Sequence, residues 1–70
     1  MLSVAALDRL AGQFNMTRDK IAYWATVVAE DLKTGPFQHE RELMAATNWM
    51  PEGADAFARA LTQELQANDP

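Results

Sequence analysis

A chain of 70 residues with 6 Lys and Arg against 10 Asp and Glu carries a formal charge of −4 and contains no Cys. A domain this short buries only about 60% of the surface its unfolded form exposes; no disulfide braces it, and with His39 as the single His it has no metal cage of the usual His and Cys kind. An apolar content of 49% excludes an acidic disordered tail, and the largely apolar runs Val4 to Leu7 and Ala25 to Ala29 fall far short of the roughly 18 residues that cross a membrane.

The first predicted element follows Ser3, a residue able to cap free backbone N–H groups, with Leu2 and Leu7 in hydrophobic-staple positions around it. Val4, Leu7, Leu10, Ala11 and Phe14 then recur at helical spacing. Asn15-Met16-Thr17 breaks the pattern. Thr17 caps the second helix, Asp19 suits its positive end, and Ile21, Trp24, Ala25, Val28 and Leu32 form its stripe until Lys33 and Gly35 end it. Pro36 opens a third, less regular element whose face is Phe37, Glu40, Leu43, Met44 and Thr47, with His39 expected as a solvated side chain. The fourth starts at Pro51 with Glu52 and Asp55 near its positive end, and Ala54, Phe57, Ala58, Leu61 and Leu65 repeat cleanly.

The expected fold is therefore all-α: four short helices, at roughly 3–14, 17–34, 36–48 and 51–66, forming two stacked αα-hairpins in a single small domain. A shift of about 33 residues lays one hairpin on the other, pairing Leu10 with Leu43, Asn15 with Asn48, Trp24 with Phe57 and Val28 with Leu61. Each hairpin's stripe is wider than one partner hairpin covers, so a homodimer is expected. The start Met1-Leu2-Ser3-Val4 has no early Lys or Arg ahead of an apolar run, unlike a secretory signal, which suggests a cytoplasmic setting.

No catalytic or metal-binding set emerges. Glu30-Asp31 and Glu40-Glu42 lack the three- or four-residue spacing that puts two carboxylates on one helix face. His39-Glu40 lacks the second His of a zinc helix, and Gly12, Gly35 and Gly53 are too scattered for a phosphate loop. The expectation is a protein without enzymatic activity or cofactor.

Two binding surfaces compete instead. Tyr23 and Val27 sit four apart and off the main stripe of the second helix, Trp49 and Met50 lie in a short link, and Phe37 and Met44 join them. Aromatic and Met side chains beyond what a small core holds suit a protein partner, and an acidic chain suits one with a basic surface. Trp49 has a second reading, as a plug folded into the core. The leading expectation is a small acidic interaction protein, bacterial or phage in style, that binds and regulates or inhibits another protein.

The other surface is carried by Leu10-Ala11-Gly12-Gln13-Phe14-Asn15-Met16-Thr17-Arg18-Asp19-Lys20-Ile21-Ala22-Tyr23-Trp24. Within residues 7–28, the small Ala, tight turn, capping Thr and flanking apolar residues resemble the helix-turn-helix of bacterial and phage DNA-binding regulators. That resemblance implies a dimeric transcriptional regulator whose Thr17, Arg18, Lys20, Tyr23 and Thr26 face the major groove or its phosphates. The net negative charge, with Asp19, Glu30 and Asp31 on the same helix, opposes phosphate binding.

Overall fold

A computed structural model of the chain describes residues 2–67. They form four helices, α1 (Val4–Phe14), α2 (Arg18–Thr34), α3 (Glu40–Thr47) and α4 (Pro51–Ala67). The architecture is all-α, as two stacked αα-hairpins: α1 packs on α2, α3 on α4, and α4 lies against both α1 and α2.

The first hairpin is set by local chemistry. Ser3 Oγ accepts a hydrogen bond from the Ala6 N–H at 3.1 Å, and Thr17 Oγ1 accepts one from the Lys20 N–H at 3.2 Å, so each helix start is capped by its own residue. Between them Asn15 adopts the left-handed conformation, φ 56 and ψ 49, and the Met16 N–H returns to the Ala11 carbonyl. Asn enters that region at less cost than most residues with a Cβ. Gly35, at φ 156 and ψ −137, occupies backbone space that a side chain would strain, and its N–H donates to the Asp31 carbonyl at 2.8 Å.

The same shift that aligns the sequences aligns the helix ends. It carries Phe14 onto Thr47, Arg18 onto Pro51 and Thr34 onto Ala67, so α2 and α4 both span 17 residues. It also carries Asn15 onto Asn48, which is left-handed too, at φ 63.

The two hairpins differ at α3. The spacing predicted its start at Pro36, but the helix begins at Glu40, preceded by a bend at Pro36 and a turn at residues 38–39. The cause is a side chain from α2. Asp31, only 5% exposed, accepts the backbone N–H of His39 at 2.9 Å and meets the His39 ring Nδ1 at 2.8 Å. That bond fixes His39 just ahead of the helix, the position a capping box normally secures from within its own helix. His39 thus keeps the exposed side chain expected of it, but it stands just ahead of α3 rather than on it and links the helix to α2.

Leu10, Ile21, Val28, Leu43, Phe57 and Leu61 are the large residues closed to solvent. Val4, counted in the α1 stripe, is 60% exposed, and Ala6 is buried instead. Ala6 is small, and a pattern built on large apolar residues overlooks it.

Candidate functional site

The six residues expected to bind a partner separate by environment. Phe37, Met44 and Trp49 are half-buried against the core. Trp49 is part of an aromatic group with Phe14 and Phe57, whose centroids lie 5.3–5.7 Å apart in tilted and edge-on arrangements. Gly53 makes room for it, since a Cβ there would stand 3.1 Å from the Trp49 Cβ. Trp49 therefore fills the joint between hairpins, the second reading its position allowed.

Tyr23 and Met50 are the exposed members, at 62% and 69%. The Tyr23 ring stands edge-on to half-buried Trp24, with centroids 5.1 Å apart and an interplanar angle of 83°. Val27 follows one turn later, half-buried, on the same flank of α2. Trp24 thus supports the exposed Tyr23 ring along one edge.

The residues named by the helix-turn-helix resemblance span the cap and first half of α2, where Thr17, Arg18 and Thr26 have hydrogen-bond or ion-pair partners. Thr17 caps the helix, and Thr26 Oγ1 donates to the Ala22 carbonyl at 2.9 Å. Arg18 forms an ion pair with Asp8 at 2.7 Å, placing a carboxylate where a phosphate would have to bind. Lys20 is exposed and, among the described residues, has no ion-pair partner. It edges a shallow cleft of about 370 Å³ that also includes Thr17, Thr47 and Trp49. One unpaired cation beside Asp19 gives this helix little attraction for a phosphate backbone.

A second apolar surface lies on the opposite flank of α2. A groove of about 750 Å³ runs between Leu2 and Leu7 on one side and Thr62 and Leu65 of α4, with Ala22, Ala25 and Ala29 of α2 along its floor. Leu32, 39% exposed, also lines it, as do Thr26, Glu30 and Lys33. Sequence periodicity misses this groove because Ala counts as apolar wherever it falls, and its use as a floor depends on how α1 and α4 flank it.

Charge pairing across helices is likewise invisible in the linear pattern. Arg9 of α1 and Glu64 of α4 form a two-point pair at 2.7 and 2.9 Å. The hydrogen bond from Arg9 holds the Glu64 carboxyl below its ordinary range and raises the guanidinium in turn. Burial pushes the Asp31 carboxyl up, but the hydrogen bonds from His39 outweigh it, and the group lies below its ordinary value. Glu40 of α3 behaves oppositely: burial and then neighbouring Asp55 of α4 raise it. These carboxylates are far apart in sequence, so helix spacing did not reveal them as a pair.

Among the described residues, no three potential ligands from His, Cys, Asp and Glu gather around a point, and no helix is long and apolar enough to cross a membrane. Comparison with protein families, with curated proteins and with solved structures finds no match for the chain.

Proposed function

We propose that the protein is a small, non-enzymatic helical module that binds another protein and thereby regulates or inhibits it, making contact through the Tyr23 and Val27 flank of α2. The observation that carries this reading is Tyr23 itself: 62% exposed, supported edge-on by Trp24, with Val27 beside it. A rigid aromatic with an apolar body and a polar tip is the type of residue on which interface energy concentrates. Glu40, Glu42, Glu52 and Asp55 crowd α3 and the start of α4 against Arg41 and Arg59, so the field there favours a partner with a basic surface. A chain without Cys loses nothing in a reducing compartment, and we assign it to the cytoplasm.

The test is affinity capture from the native host with the unmodified chain, Tyr23→Asp and Val27→Asp, read by mass spectrometry. The expected result is a protein recovered by the unmodified chain and lost, at least about tenfold, from both variants while their helical circular dichroism is unchanged. Recovery of the same proteins by all three would overturn the assignment. A mobility-shift titration with duplex DNA at low salt addresses the regulator reading. No shift is expected, because Arg18 is held by Asp8. Duplex binding that weakens in both Arg18→Ala and Lys20→Ala would replace the protein-partner reading with the DNA-reading one.

A further inference from the structure

We propose that the apolar groove along α2 is a self-association surface, occupied by the α2 groove face of a second copy of this chain in a two-fold dimer. The groove floor lies apart from Tyr23 and Val27, with Glu30, three residues after Val27, at the boundary of the two surfaces, and the inference does not depend on what binds the Tyr23 flank. Positions 23 and 27 lie more than a quarter-turn around α2 from the groove floor at positions 22, 25 and 29.

The first support comes from within the molecule. Under the shift that superposes the hairpins, Leu7, Ala22 and Thr26 of the groove correspond to Glu40, Asp55 and Arg59 on the second hairpin. Those three positions carry charge there, while Ala25 and Leu32 correspond to Ala58 and Leu65 and stay apolar. The hairpins thus differ at positions 7, 22 and 26, and the αα-hairpin does not itself require apolar residues there. Val4, one turn before Leu7 on α1 and 60% exposed, extends the apolar face further. An uncovered apolar surface on a small protein marks a contact site.

The second support identifies the occupant. The charged side chains of α2 at the groove are Glu30 and Lys33, of opposite sign, and among the described residues neither has an ion-pair partner. Near the α1 and α4 wall, Arg9 and Glu64 already neutralise each other. The groove surround is therefore balanced in a chain whose formal charge is −4, and two copies meet there without opposing like charges. A basic foreign partner would find no acidic rim.

Helix side chains lean toward the N-terminus, so the Lys33 ammonium reaches back over the turn holding Ala29 and Glu30. An antiparallel crossing of the two α2 helices centred near Ala29 brings each Lys33 to the Glu30 of the other copy. That pairing is made twice by symmetry. The partly exposed Ala22 and Ala29 let the helix axes approach closely, and the groove's length along α2, about 17 Å at 1.5 Å per residue, matches three turns of the second helix.

The experiment is sedimentation equilibrium of the full chain from about 1 to 100 μM, a range that spans the affinities of weak to moderate dimers. The expected result is a reversible monomer–dimer equilibrium. A monomer over the whole range would overturn the proposal. Ala29→Arg is expected to abolish the dimer. Because Ala29 also packs against the core, two exposed charge reversals provide a test that does not depend on its folding. Glu30→Lys and Lys33→Glu should each weaken self-association at least about tenfold, since each places like charges in contact, and an equimolar mixture of the two should form a heterodimer. A dimer unaffected by either reversal, or a mixture that does not recover association, would overturn the groove as the interface.

Discussion

The two hairpins share three of their four helix ends and a left-handed Asn at the turn, yet they are secured differently. In the first, Ser3 and Thr17 cap their own helices and Asp8 pairs with Arg18 across the turn, so all these bonds lie within the hairpin. In the second, α3 has no side-chain cap of its own and its start is fixed by Asp31 from α2. At the contact between α3 and α4, two carboxylates face each other where the first hairpin has Leu7 and Ala22. The first hairpin can thus form from its own sequence, whereas the second completes α3 only once α2 is in place. A shared backbone plan leaves open which half serves as template for the other.

The comparison breaks most severely at the joint both hairpins use. Phe57 is fully buried and meets Phe14 of the first hairpin and Trp49 of the second. Phe57→Ala should cost about 3–5 kcal/mol. A chain this length has only about 4–10 kcal/mol in total, so thermal melting followed by circular dichroism should find a largely unfolded protein near physiological temperature. Next comes Asp31→Ala, which strips the His39 N–H and ring of their partner and should lower the melting midpoint by roughly 5–10 °C. Its distinguishing result is local: hydrogen exchange should rise across α3 before it rises in α1 or α2. Uniform acceleration in all four helices would mean that the hairpins are equally dependent on Asp31.

Asp31 also predicts a pH response. Its folded carboxyl lies below the ordinary 3.8, so the stability it contributes is complete above that value and is lost as pH falls through the lower folded one. The difference between the unmodified chain and Asp31→Asn should therefore be full at neutral pH and shrink in strong acid. A gap independent of pH would show that the charge does not act.

Much of this was legible in the sequence because caps, breakers and spacing are local signals. Ser3, Thr17 and Gly35 mark helix ends through bonds spanning a few residues, Pro51 marks one through its fixed φ, and Asn15 and Asn48 mark both turns. The start of α3 was misplaced for the opposite reason. Pro36 is a competent first-turn residue, and what delays the helix is a carboxylate from another helix. The candidate surfaces divide in the same way. Tyr23 stands out by falling off a stripe, a property of one helix. The sorting of Trp49 into the joint depends on Phe14, Gly53 and Phe57 meeting it, and the groove depends on α1, α2 and α4 together.

Smaller effects sharpen the contrast between local and borrowed support. Thr17→Ala removes one capping bond from the first hairpin and should cost about 1 kcal/mol, with exchange rising at the first turn of α2 and little change in α3. Glu40→Gln should act in the other direction. Burial and Asp55 raise the Glu40 carboxyl above 4.5, so its stabilising contribution is present below the unfolded value and is lost as pH rises through the folded one. At neutral pH the unmodified chain therefore carries a charge that its surroundings oppose, and the neutral amide removes it. The expected outcome is a small rise in melting midpoint near neutral pH that disappears at about pH 4, where Glu40 is itself largely protonated. Asp55→Asn should reproduce the gain, and the double variant should fall short of the sum because both changes relieve the same repulsion. Full additivity would mean that the carboxylates do not oppose each other. The second hairpin would then lack one of the two features that separate it from the first.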